Sequence, residues 1–132
     1  MKAITLISAV VLIIAMCFVS LNIQAQEKVK YSNVEQTENG IIKEITLADK
    51  ETLTPMMKSV YIYDNSGSRL ETTSYRWDSE LGWQVVSKYE YGYSGFNMLA
   101  SIVYTKWNAD SNNDKAERTV YTYNNGELFA VK

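Results

Sequence analysis

The sequence predicts an all-β protein, an antiparallel meander of about eight strands built from hairpins that recur every 30 residues. Three observations predict it. Tyr61, Tyr91 and Tyr121 are 30 residues apart, as are Tyr63, Tyr93 and Tyr123, and Trp77 and Trp107 keep the same step. Each Tyr-x-Tyr is followed by a polar, glycine-bearing turn and then a leucine, at Leu70, Leu99 and Leu128. Between turns the chain is rich in Tyr, Val, Ile, Trp and Thr, which suit a pleated surface.

The first 26 residues stand apart. Lys2 precedes an apolar run from Ile4 to Leu21, and Ala25 offers a small residue before a polar start. This is the plan of a secretory signal, with cleavage expected after Ala25 or Gln26. An uncleaved membrane anchor is the alternative, because the run is almost long enough to span a bilayer. Ile14-Ala-Met-Cys17 resembles a lipobox, but Met16 fills the position that needs a small residue.

Residues 27–132 read as one domain. The chain has 13 Lys and Arg, 15 Asp and Glu and no His, and the signal holds only Lys2, so the remainder carries 12 basic against 15 acidic residues. That balance leaves no electrostatic footprint for nucleic acid. Cys17 is the single cysteine, so no disulfide framework is available.

Lys28–Lys58 is a degenerate first copy, with a type I′ turn expected at Asn39-Gly40 between Val34–Glu38 and Ile41–Leu47. Ala48–Met57 reads as a loop, in which Asp49–Leu53 has the composition for one helical turn before Pro55 stops it. Strands are then expected at Met57–Asp64, Leu70–Trp77, Trp83–Tyr93, Met98–Trp107, Glu117–Tyr123 and Glu127–Val131. Turns at Asn65–Ser68, Ser94-Gly95 and Asn125-Gly126 mark one end of the sheet, and the polar loops 78–82 and 108–114 mark the other. A two-residue Asn125-Gly126 turn pairs Tyr123 with Leu128, and symmetric pairing about Glu80 places Trp77 opposite Trp83. The leucine of each copy is expected opposite the second tyrosine. The 29-residue leucine step against the 30-residue tyrosine step implies bulges or turn-length changes. Both strand faces carry apolar residues and no amphipathic helix covers either. The sheet is therefore expected to curl, to fold over as a sandwich, or to remain a single layer that buries a face against a second copy.

Tyr-x-Tyr-Asp-x-x-Gly-x-x-Leu at Tyr61–Leu70 resembles the YD repeats of Rhs-type bacterial surface proteins and toxins. The whole plan is similar to a family of short secreted gut-bacterial proteins classified as a domain of unknown function. The likeness covers Ser59–Lys132 well and Lys28–Lys58 poorly. Only the first copy has the Asp, which Ser94 and Asn124 replace in the others. The resemblance implies a secreted β-sheet protein and carries over no catalytic residue.

Two aromatic groups are candidate ligand-binding residues: Tyr61, Tyr91 and Tyr121 on alternate strands, and Trp77, Trp83 and Trp107 clustered at one end. Flat rings with a polar tip stack on sugars or on apolar partner side chains. The competing reading is cross-strand packing, worth about 0.2–1 kcal/mol per pair. Asp110, Asn112 and Asp114 match the start of a calcium loop, but Lys115 stands where glycine is needed and Tyr121 where glutamate is needed. Catalysis has no imidazole or thiolate to use, and Asp78 with Glu80 sit on a short loop without a cleft. The sequence therefore predicts an exported, non-enzymatic binding or interaction module, periplasmic or extracellular and without a cofactor, whose partner is a glycan or a protein. The alternative is a structural envelope protein that self-associates, for instance as a homodimer.

Overall fold

The computed structural model describes residues 27–108, 116–124 and 126–131. The signal segment, the calcium candidates Asp110, Asn112 and Asp114, and Asn125 lie outside them. Eight strands form one sheet in sequential order: β1 Lys28–Thr37, β2 Gly40–Asp49, β3 Pro55–Asp64, β4 Arg69–Asp78, β5 Gly82–Tyr93, β6 Leu99–Trp107, β7 Ala116–Asn124 and β8 Glu127–Val131. All seven pairings are antiparallel. Each strand contacts only its sequence neighbours, so the sheet is one open layer, and the barrel and sandwich expectations fall away. The hairpin turns are too short to carry a strand across to a second layer.

Two predicted cross-strand pairings hold. Tyr123 faces Leu128 and Trp77 faces Trp83, and Gly126 has φ +82°. The leucine rule needs a correction in the first copy. Leu99 faces Tyr93, but Arg69 faces Tyr63, and a register shift at Ile62/Tyr63 makes Leu70 the extra residue. That displacement, and a connection from Tyr123 to Leu128 one residue shorter than that from Tyr93 to Leu99, account for the mismatch between the 29- and 30-residue steps; further shifts stand at Leu47/Ala48, Ser74/Tyr75 and Gly92/Tyr93.

Three local expectations also change. The first hairpin turns on Glu38-Asn39 rather than on Asn39-Gly40, since Thr37 pairs with Gly40. Neither Glu38 nor Asn39 has positive φ, so the turn is not type I′; Gly40 takes φ +143°, where an added Cβ would collide with the Tyr63 carbonyl. The expected loop at Ala48–Met57 is shorter, because β2 runs to Asp49 and β3 starts at Pro55. Within it Leu53 N–H donates to the Asp49 carbonyl at 2.9 Å, the single helical turn that the composition allows. In the Ser94–Met98 turn the left-handed residue is Asn97, φ +55°, not Gly95. It stands 30 residues after Gly67, φ +85°, so asparagine replaces glycine at an equivalent position.

The layer has almost no interior. Among the described residues Ala48 is the one buried hydrophobic side chain, and Asp49 and Thr73 are the buried polar ones. Cohesion comes from the backbone ladders and from half-buried cross-strand side-chain pairs.

Candidate functional site

Register and bulges decide which residues share a face. Tyr61 pairs with Thr72, Thr72 with Tyr89, and Tyr89 with Tyr104, while Tyr91 pairs with Ile102 and Ile102 with Tyr121. Side chains alternate along each strand. Tyr61 and Tyr63 on β3, Tyr89, Tyr91 and Tyr93 on β5, Tyr104 on β6 and Tyr121 and Tyr123 on β7 therefore share one face. Eight of the ten tyrosines lie there. The candidates Tyr61, Tyr91 and Tyr121 are brought together on it, but not in one row. Tyr91 and Tyr121 share a row, whereas Tyr61 aligns with Tyr89. Ring contacts knit the centre: Tyr89 lies 4.6 Å from Tyr104 and stacks on Tyr91 at 6.3 Å. Burial pushes the Tyr89 phenol above its ordinary value, and Tyr104, Tyr91 and Tyr121 push it the same way.

One cation belongs to this face in a way the sequence did not reveal. Arg69 lies 5.2 Å from the centre of the Tyr61 ring and 5.6 Å from that of Tyr63. Its Nη2 donates to the Tyr63 hydroxyl at 3.3 Å, and the Tyr93 hydroxyl donates to the Arg69 carbonyl at 2.6 Å. The phenols of Tyr63 and then Tyr91 hold the guanidinium pKa above its ordinary value. The signal in the sequence was the Tyr-x-Tyr one hairpin turn before an arginine; the bulge that makes Arg69 face Tyr63 had no legible sign.

The tryptophans lie on the opposite face. Trp77 and Trp83 meet edge to face at 5.1 Å and 73°. Lys58 Nζ sits 4.8 Å from the Trp83 ring and 5.0 Å from that of Tyr75. Trp107 pairs with Ala116 at the same end and on the same face, without a ring contact to the other two. All three are half-buried. The predicted tryptophan cluster and tyrosine row are thus separated by the thickness of the sheet and cannot form one patch.

That opposite face also holds the paired charges. Glu71 and Glu90 stand directly opposite each other, and Lys88 Nζ bridges them at 3.1 Å and 3.5 Å. Burial works against the Lys88 charge, but Glu71 and then Glu90 outweigh it and raise its pKa. Lys58 and Glu44 approach to 3.9 Å. The aspartates serve turns. Asp64 Oδ1 accepts from the Ser66 hydroxyl at 2.7 Å and from the Ser66 and Ser68 N–H groups at 2.9 Å, which gives the Asp of Tyr-x-Tyr-Asp a structural task. Asp78 Oδ1 accepts from the Glu80 and Leu81 N–H groups at 2.9 Å, so it closes the loop that Glu80 occupies. The described residues contain no cluster of acidic, His or Cys side chains that would hold a metal ion.

Two solved structures resemble the chain. A crystal structure of a DUF3836 family protein from Bacteroides vulgatus ATCC 8482 matches with a TM-score of 0.46 and 21% identity, covering 78% of this chain and 98% of that one. One from Parabacteroides distasonis ATCC 8503 matches with a TM-score of 0.44 and 17% identity, covering 73% and 92%. No curated protein matches the chain. The model of the family of unknown function DUF3836 matches residues 1–128, and the chain belongs to that family.

Proposed function

We propose that the chain is an exported, non-enzymatic interaction module that works through its tyrosine face, with a glycan or a protein as partner. The observation that carries this reading is the arrangement of eight tyrosines on one face of a single-layer sheet, with no element among the described residues packed over them. Tyrosine supplies broad, amphipathic contact area at low conformational cost. Export rests on Lys2, the Ile4–Leu21 run and Ala25, and the likeness of Tyr61–Leu70 to YD repeats of surface proteins agrees with it. The non-enzymatic part rests on a chain without histidine and on Asp49, Asp64 and Asp78 being occupied in turns. The test is a soluble glycan array with the chain and two variants. Loss of binding in the double variant Tyr91→Ala, Tyr121→Ala with retention in Trp107→Ala is expected. The reverse pattern would move the working surface to the tryptophan face.

One observation favours self-association as a second reading: the layer buries a single hydrophobic side chain among the described residues. Eight strands about 4.8 Å apart and 5 to 12 residues long, at about 3.3 Å per residue, outline a face of about 1,000 Å². That exceeds the roughly 800 Å² each partner contributes to a standard interface. Sedimentation velocity separates the two readings, since this one requires a dimer at micromolar concentration without any ligand.

A further inference from the structure

The charges on the two faces differ in kind. On the opposite face Lys58 and Lys88 are matched by Glu44, Glu71 and Glu90. On the tyrosine face Lys43 aligns with Tyr61, and Arg69 with Tyr63. Among the described residues neither cation has a carboxylate within ion-pairing distance. Lys106, further along the same face, has Glu117 directly across from it, and Arg76 has Asp78 two residues on; Lys30 joins Lys43 and Arg69 as a cation of this face without an ion-paired acid among the described residues. Arg69 is exposed yet held in place by the rings of Tyr61 and Tyr63 and by the Tyr63 hydroxyl, with the Tyr91 phenol also beside it, which leaves most of its five N–H donors for a ligand.

Resting on the tyrosine-face reading, we propose that Arg69, Lys43 and the surrounding Tyr61, Tyr63 and Tyr91 bind a carboxylate-bearing sugar of an acidic glycan. A preordered guanidinium presents the fork that a carboxylate accepts in two parallel hydrogen bonds. Lys43, two strands away, adds a point charge for a neighbouring acidic residue. Tyr61 and Tyr63 brace the guanidinium with their rings, and Tyr91 on the next strand offers ring surface for a pyranose and a hydroxyl for its edge. A linear polysaccharide laid across the strands would meet a new strand about every 4.8 Å, close to the advance of one sugar, which suits repeated stacking better than a single contact. An acidic peptide shares the charge but not the need for this extended flat row.

The test is calorimetric titration of the chain recovered from its host with polygalacturonate, its fully methyl-esterified form, dextran and poly-glutamate. Binding to polygalacturonate that weakens with salt is expected, with little response to the ester or to dextran. Arg69→Gln should lower that affinity by at least about tenfold, the scale of a lost charge-assisted hydrogen bond, with an unchanged circular dichroism spectrum. Arg69→Lys, which keeps the charge and loses the fork, should lie between, and it serves if Arg69→Gln folds poorly. Equal affinity for the ester, indifference to both Arg69 variants, or no binding to polygalacturonate would overturn the assignment. Tighter binding to poly-glutamate would replace the glycan with an acidic protein. If a neutral glycan binds and Tyr91→Ala abolishes this while Arg69→Gln does not, the tyrosine-face reading stands and the carboxylate site alone fails.

Discussion

The two faces of this sheet are made from the same strands and solve different problems. The opposite face closes its own accounts: Trp77 packs on Trp83, Lys58 covers Trp83 and Tyr75, and Lys88 holds Glu71 and Glu90 together. The tyrosine face gathers rings and cations and leaves Lys43 and Arg69 without acids. Since each strand touches only its neighbours, no second layer among the described residues compensates for either. One layer thus carries self-compensating contacts on one side and rings with uncompensated cations on the other, which a sheet permits because successive residues point to opposite faces.

The comparison breaks most sharply on the rings. Trp77→Ala removes half of the edge-to-face pair and should cost about 2–3 kcal/mol, below the loss for a fully buried tryptophan. Tyr121→Ala on the other face should cost about 1 kcal/mol, the scale of a cross-strand pair. Urea denaturation measures both, and equal losses would erase the distinction between the faces.

Lysines give a smaller contrast. Lys88→Met leaves Glu71 and Glu90 facing each other and should cost about 1 kcal/mol at low salt, since Lys88 is partly exposed and screened. Lys43→Met has no acid to abandon and should leave the melting temperature unchanged. A matching loss at Lys43 would mean that the tyrosine face hides an acidic partner.

Acid should act on the turns. Accepted hydrogen bonds hold three aspartates below the ordinary 3.8: from the Thr52 amide to Asp49, from the Ser66 hydroxyl to Asp64 and from the Leu81 amide to Asp78. A folded pKa below the unfolded one gives stability that is complete above the unfolded value and disappears as pH falls through the folded value. Melting temperature should therefore drop as the pH falls below that range, and Asp64→Asn should flatten part of the drop. Tyr89 has the opposite sign: its raised pKa gives stability that is complete below the ordinary 10.0 and is lost as pH rises through the folded value. An alkaline absorbance titration should find one phenol ionising late, and Tyr89→Phe should remove it.

Much of the fold was legible because the repeat is written twice, once in tyrosines and once in turns. Tyr123 opposite Leu128 and Trp77 opposite Trp83 followed from loop length alone. The site was less legible because parity within a strand is readable, whereas parity between strands depends on every bulge. Tyr61 and Trp77 look like parts of one aromatic set in the sequence, yet the pairing places them on opposite sides. The single-residue shift at Ile62/Tyr63 moved Leu70 out of register and set Arg69 against Tyr63. Nothing in Ser66-Gly67-Ser68 distinguishes that turn from one without a bulge. Glu38-Asn39 displaced Asn39-Gly40 as the turn because Gly40 is needed where β2 passes close to the Tyr63 carbonyl, a contact between separate hairpins.

The central claim is that the tyrosine face is uncovered in the free chain. Solvent paramagnetic relaxation with a neutral gadolinium chelate reads this directly from ring protons. The account predicts that the ring of Tyr89, 37% exposed, is relaxed nearly as strongly as that of Tyr31, which stands 50% exposed on β1, and that the half-buried rings of Tyr91, Tyr104 and Tyr121 are relaxed clearly but less. Rings shielded as in a protein interior would contradict it and would mean that another layer, most simply a second copy, already occupies the face.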